Sequence, residues 1–512
     1  MVKATLRSAV LLGLLVWSVP SFAEVQNVKV GGEVTVTGFH RKNLRLSEDV
    51  FNNGASQPTS STAGQVTAAS QLGPSGDSFL QQLTAVNVGA DLTENVSAEI
   101  RVINQRVWGA LDDNAMNSTS SGSSTLNNGN DVQLSQANVT LKELFYSPLT
   151  VKIGRQPLKF GRGLIIGSRI HMGDVDPNSA LAADEFSDLS TGFDAIRGTL
   201  DFSSAAGMPL LVDVVYSKIA ENAVSAVGGG GVGTGNADDV NLFGFNVGTK
   251  LDSMSSEFEA YFWDKRDSSQ TTGDRHGVPH STTFGLRGSS MPADGLSVWG
   301  ELAYQMGRFI PSGISYDAEP AAGDQYGAWA ANFGADFALK DVALHPVFGG
   351  EWIFFSGRDG RDPATQVGSG TAGWEPVFHG YFPDRLRSTQ TAGFYMPAQS
   401  GATLSGTTFS NITNSYTNQH TLAVHGAITP IEDLIVDNRL SWFVTDSGIR
   451  PTAAYSERKS FLGSEWDLNA VYNYTDDVQL GAAYSLFLPG SVFRQPYDNP
   501  SHELLTSVSV KF

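Results

Sequence analysis

Segments with apolar residues at every second position recur along almost the whole chain, and the connections between them alternate long and short. The segments lie near residues 28–39, 80–92, 96–108, 131–142, 149–156, 193–203, 209–218, 240–251 and 255–266. They continue near 280–289, 294–306, 328–339, 342–356, 418–428, 432–444, 464–475, 477–488 and 502–512. Successive side chains of an extended strand point to opposite faces, so this period marks about 18 β-strands rather than helices. The even count is what a single-chain bacterial barrel requires.

The connections sharpen the expectation. The gaps 40–79, 109–130, 157–192, 219–239 and 357–417 are long and rich in Gly, Ser, Thr, Asn and Asp. Those between are tight, as at Thr93-Glu94-Asn95, Asp252 to Ser255, Thr429 to Asp433 and Thr475-Asp476-Asp477. An all-β transmembrane antiparallel barrel, with short periplasmic turns and long extracellular loops, has this parity. A soluble β-sandwich has no reason to keep it, and a propeller would repeat a blade motif, which is absent.

The alternation also suits lipid on one face and water on the other. Leu434, Val436, Leu440 and Trp442 oppose Asp437, Arg439 and Ser441, while Val478, Leu480, Ala482, Tyr484 and Leu486 oppose Gln479, Gly481 and Ser485.

Residues 1–23 read as a secretory signal: Lys3 and Arg7 precede an apolar core from Ala9 to Val19, and Ser21-Phe22-Ala23 forms a small-x-small cleavage site. The core is shorter than the roughly 20 residues of a spanning helix, and no later apolar run reaches that length. Residues 24–512 are therefore expected to form a single barrel domain in the bacterial outer membrane. The whole chain carries a formal charge of -19, and without a basic run this excludes a nucleic-acid partner. There is no cysteine, so disulfides and thiolate metal sites are ruled out.

The final stretch, Leu505 to Phe512, puts Val508, Val510 and Phe512 on one side and Ser507, Ser509 and Lys511 on the other. It resembles the signal by which barrel assembly machinery recognises outer-membrane strands, and it suits a last strand that closes against the first.

Two regions carry a family resemblance. VKIGRQPLKFGRGLIIGSRI (Val151 to Ile170) followed by GFDAIRGTLDF (Gly192 to Phe202) resembles the alginate export family of outer-membrane β-barrel porins, with its GRQ strand, Gly- and Arg-containing loop and FD-x-x-R strand. FLGSEWDLNAVYNYTDDVQLGAAYSLFLPGS (Phe461 to Ser491) is similar to that family's paired LG-x-E-x-D-L and Y-x-x-F-x-P-G strands. The resemblance implies a monomeric, 18-stranded passive channel without a cofactor, bounded by outer-membrane lipid and lipopolysaccharide. It also implies a cargo that is a polysaccharide or a small hydrophilic solute.

Counting along the strands puts Arg101, Lys152, Arg197, Arg287, Arg439, Lys250 and Lys511 on the inward faces. The same faces carry Glu99, Asp201, Asp213, Glu257, Glu259, Glu301, Glu351, Asp437, Glu465 and Asp467. Ion pairs such as Asp437 with Arg439 and Arg197 with Asp201 are expected, so the lumen is not plainly basic. Arg155, Arg162 and Arg169 punctuate the Gly-rich segment after the GRQ strand, which places them at the mouth, where guanidinium groups engage carboxylate or phosphate oxygens. Counting alone puts Arg155 on the apolar face, and the alternative for all three is pairing with lipopolysaccharide phosphates or with Asp174, Asp176, Asp184 and Glu185.

An enzyme is not expected. No G-x-S-x-G nucleophile motif occurs, and His171, Asp174 and Asp176 in HMGDVDP read as a turn before a Ca²⁺ site. No plug domain precedes Val28. The other class left open is a barrel sheath or scaffold for a periplasmic or extracellular partner such as an electron-transfer protein. No C-x-x-C-H occurs, so any haem would belong to that partner.

Overall fold

A computed structural model describes residues 27–43, 76–108, 132–168, 192–220, 239–252, 255–267, 280–308, 325–357, 373–388, 417–449, 459–492 and 499–512. The signal segment 1–23 lies outside them. All 18 expected strands are present: β1 (Asn27–Lys42), β2 (Gly76–Thr93), β3 (Val96–Val107), β4 (Gln133–Leu141), β5 (Leu149–Pro157), β6 (Gly192–Asp201), β7 (Leu210–Ala220), β8 (Val240–Leu251) and β9 (Ser256–Asp267). The second half comprises β10 (His280–Ala293), β11 (Leu296–Arg308), β12 (Gln325–Ala338), β13 (Val347–Phe355), β14 (Gln419–Ile431), β15 (Leu434–Ile449), β16 (Lys459–Asn473), β17 (Val478–Pro489) and β18 (Ser501–Lys511). β2 and β15 run several residues past the apolar band into polar sequence, because the backbone ladder continues where side chains leave the hydrocarbon.

Each strand pairs antiparallel with its neighbours in sequence, and β18 pairs with β1 over Glu33↔Lys511 to Lys42↔His502. No edge remains, so every spanning backbone group has a partner without water. No helix among the described residues is long and apolar enough to cross a membrane.

Leu286, Ile100, Phe333 and Val424 stand exposed on the outside, where an aromatic row runs through Phe245, Phe262 and Phe284 with centroids 5.3 and 5.2 Å apart. Ala85, Gln305, Ser441 and Ser485 are fully buried on the inside. At the tight end, Asp294-Gly295 joins β10 to β11, with Gly295 at φ 75°, a backbone setting open to glycine at little cost.

Candidate functional site in the lumen

Alternation fixes which side chains face inward, and register then decides which of them meet. Directly opposite residues on adjacent strands have Cβ atoms about 5 Å apart, whereas residues two apart on one strand are separated by roughly 6.5 Å or more. The inward charges pair across strands, Arg287 with the directly opposite Glu259, while the pairs Arg101–Glu33, Lys152–Glu99 and Arg439–Glu351 reach over one intervening strand. Arg101 reaches Glu33 at 2.5 Å and Asn87 at 2.8 Å, and Lys152 reaches Glu99 at 2.9 Å. Arg197 pairs with Asp213 at 2.8 Å, a carboxylate that also accepts the Thr199 hydroxyl. Arg287 lies between Glu259 at 2.8 Å and Glu257 at 3.4 Å, and Lys250 holds Glu257 at 2.6 Å. Arg439 binds Glu351 at 2.9 Å and Asp384 at 2.7 Å. The result is a belt of compensated charge running strand to strand around the lumen.

Two segments fold inward against this belt, residues 158–168 after β5 and 373–388 after β13. Leu158, Leu164, Ile165 and Ile166 from the first, with Trp374, Val377 and Phe378 from the second, pack on inward-facing Phe193, Val215, Leu242 and Trp263, all 3% exposed or less. Their backbones join in a parallel bridge, Ile166 to Phe378. Gly167 N–H donates to Phe378 O at 2.7 Å, Phe378 N–H to Ile165 O at 2.9 Å and Gly380 N–H to Gly163 O at 2.8 Å. Gly161, at φ 57°, makes the tight turn, and a Cβ there would lie 2.5 Å from Cδ of Arg287. The apolar anchors hold the segments to the β5–β13 side of the wall, so they narrow the lumen from that side.

Arg162 projects from the first segment, its guanidinium 4.3 Å from the Trp299 ring and 4.8 Å from the Tyr381 ring. It donates to the Tyr381 hydroxyl at 2.6 Å, which donates in turn to Glu351 at 2.7 Å. Burial, reinforced by the Glu351 charge, pushes the Tyr381 hydroxyl above the ordinary tyrosine range, so it remains a proton donor. The single helical turn Arg385–Ser388 then points the Leu386 N–H at Glu465, 2.5 Å away. This ties the second segment to β16.

Several sequence expectations need correcting. Arg155 does not line the pore: it shares the outward face with Ile153 and grips Asp194 through two bonds of 2.8 and 2.7 Å. These are the Arg of the GRQ strand and the Asp of the FD-x-x-R strand, brought opposite one another by the β5–β6 register. The neighbouring Gln156 turns inward and donates to backbone oxygens of Lys152 at 3.0 Å and Ala195 at 2.9 Å, so that part of the motif braces a strand pair. Arg197 takes Asp213 rather than Asp201, which instead accepts the Ser203 N–H at 2.9 Å. Arg439 takes Glu351 and Asp384 rather than Asp437, which accepts Asn469 at 2.9 Å.

Arg101, Lys152, Arg197, Arg287 and Arg439 lie inside as the alternation implies, and Arg162 reaches the lumen. Arg169, His171, Asp174 and Asp176 lie outside the described residues. Among those described, no group of three or more His, Asp or Glu is arranged to hold a metal ion. Tyr381 and Asp384 were invisible in the sequence, since they sit in an aperiodic connection with no motif to mark them. Glu33 had a signal, its odd position in an alternating strand.

A family model described as alginate export matches residues 232–507. The fold is similar to that of the Acinetobacter baumannii protein OccAB1, at 9% identity over 96% of this chain and 99% of that one, with a TM-score of 0.51. Pseudomonas aeruginosa OccK9 (OpdG) aligns at 10% identity over 95% of this chain and 99% of that one, with a TM-score of 0.49. No curated protein sequence matches. Such a family and fold are those of outer-membrane channels. With a closed 18-stranded wall around a charged lumen and a family match over more than half of its length, the chain belongs to the alginate export family and is a bacterial outer-membrane channel.

Proposed function

We propose that the channel passes small hydrophilic solutes passively, and that an extended polyanion is not its cargo. The observation that carries this reading is the pairing of the inward bases. Arg101, Lys152, Arg197, Arg287 and Arg439 each hold a carboxylate of the wall or of an inward segment. A polyanion threading the pore needs a track of free cations, and it would have to displace these internal counter-ions one after another. The inward segments add a steric argument, because they occupy lumen that a stiff chain of sugars would need. They also take space that a lumenal protein would fill, which weighs against a sheath around an electron-transfer partner. The chain is further proposed to be a monomer, directed to the periplasm by residues 1–23 and delivered to the assembly machinery through Phe512.

Swelling of liposomes that contain the purified barrel tests the cargo. Uncharged mono- and disaccharides should enter at rates falling with size, while short oligouronates should enter far more slowly than neutral oligosaccharides of the same length. Equal or faster entry of the oligouronates would restore the polyanion reading.

A further inference from the structure

Four groups converge on the Glu351 carboxylate, which is 1% exposed. Asn332 Nδ2 of β12 donates to Oε1 at 2.7 Å, and the Tyr381 hydroxyl donates to the same oxygen at 2.7 Å. Arg439 Nη1 of β15 lies 2.9 Å from Oε2, and Arg162 Nη2 lies 3.8 Å from Oε1. One side chain therefore joins three wall strands to both inward segments. We propose that Glu351 is the positioning residue that locks the two segments against the wall, and that as an internal counter-ion it keeps a carboxylate site, made by Arg162, Arg439 and Tyr381, closed to solutes. Glu351 thus sets both the aperture and the ion preference of the channel. The inference rests on the channel assignment.

The asymmetry of the anchoring supports this. On the β5–β13 side the segments are held mainly by buried apolar side chains and backbone bonds, with Glu375 also paired to Lys265 at 3.1 Å and bonded to Gln305 at 2.9 Å. Toward the open lumen they are held by hydrogen-bonded charge. Without Glu351, Arg439 keeps Asp384, but Arg162 loses its only ion pair among the described residues. Its remaining partners are the Tyr381 hydroxyl and two rings, with the Glu301 carboxylate near enough to interact with its charge. A guanidinium so released, in a narrow and weakly screened passage, attracts anions.

Glu351→Ala leaves a carboxylate-sized gap between the two guanidinium groups, and formate is the probe that fits it. In planar bilayers at low salt, the variant should conduct roughly twofold more than wild type and its reversal potential should move toward anions. Replacing part of the chloride by formate should bring both values back toward wild type. Hydrogen exchange gives a reading independent of conduction: amides of 163–167 and 378–380 should exchange faster in the variant and regain protection in formate. Glu351→Gln, nearly isosteric, should show the anion shift with a smaller change in conductance, and it serves should the alanine variant not fold. Wild-type-like reversal potential and exchange in the variants would overturn the proposal. So would a conductance change that formate does not reverse, since that outcome marks a purely structural role. Failure of the wild-type barrel to conduct would sink the channel assignment instead, while the exchange experiment would still decide the role of Glu351 in holding the segments.

Discussion

Phe512 and Gly32 exchange a pair of backbone hydrogen bonds, Gly32 N–H to Phe512 O at 2.8 Å and Phe512 N–H to Gly32 O at 3.0 Å, and the Phe512 ring lies over the glycine where a side chain would stand. A Cβ on Gly32 would come within 2.6 Å of Cζ of that ring and 2.7 Å of the Ala85 carbonyl oxygen. The small residue on β1 is thus the seat of the aromatic ring that finishes β18.

Replacing Gly32 with Val should therefore weaken closure, with overpacking costing about 1–3 kcal/mol. A Cβ on Gly89 of the neighbouring strand would meet nothing within 4 Å, so Gly89→Ala serves as the control. The heat-modifiable fraction in outer membranes and the urea midpoint of the purified barrel should fall for Gly32→Val and hold for Gly89→Ala. Equal behaviour of the two variants would show that the seat is dispensable.

The outward pair Arg155–Asp194 makes the opposite kind of prediction. Its side chains are 30% and 50% exposed and bond in a bidentate manner, a geometry that contributes about 1 kcal/mol or less once solvent screening is counted. Arg155→Gln should lower thermal stability slightly and leave conductance and reversal potential unchanged, since the side chain faces away from the lumen. A selectivity change in that variant would return Arg155 to the pore.

The contrast between these residues explains what the sequence made legible. The 18 strands and the inward positions of Arg101, Lys152, Arg197, Arg287 and Arg439 follow from a period of two, which the membrane enforces on both faces at once. Arg155 broke the expectation because its motif suggested a mouth while its parity already pointed outward, and parity was the physical constraint. The partners of Arg197 and Arg439 differ from the sequence expectation for another reason. Sequence proximity offered Asp201 and Asp437, but register puts Asp213 and Glu351 within reach, and register depends on turn lengths and bulges, such as the shifts at Arg101/Val102 and Phe443/Val444. The inward segment 373–388 carries no periodicity, so nothing marked Tyr381 or Asp384 before the fold was known.

Arg162 offers a direct test of charge in the narrowed lumen. Arg162→Glu turns the local charge by two units, next to Glu351 and between Trp299 and Tyr381. At low salt, with a Debye length of roughly 30 Å at 0.01 M, the reversal potential should move toward cations, and the shift should shrink as salt rises. Lys511→Glu, near the end of β18, should do much less. Identical reversal potentials for wild type and Arg162→Glu at low salt would remove Arg162 from the ion path.

The apolar anchoring of the inward segments can be separated from their charged contacts through Phe378. It is 2% exposed, meets Phe193 edge-on at 5.7 Å between centroids, and bridges to Ile166 through its backbone. Truncation to Ala removes a buried ring worth about 3–5 kcal/mol of local packing, as much as the four backbone bonds between the segments supply together at about 1 kcal/mol each. The strand ladders make no use of this side chain, so the barrel itself should stay closed. The expected result is a heat-modifiable barrel with normal outer-membrane abundance, larger and noisier single-channel currents, and entry of neutral oligosaccharides one or more sugar units longer than wild type admits. Unchanged size exclusion with an intact barrel would mean that the segments do not define the aperture, and the narrowing would then have to be sought elsewhere along the wall.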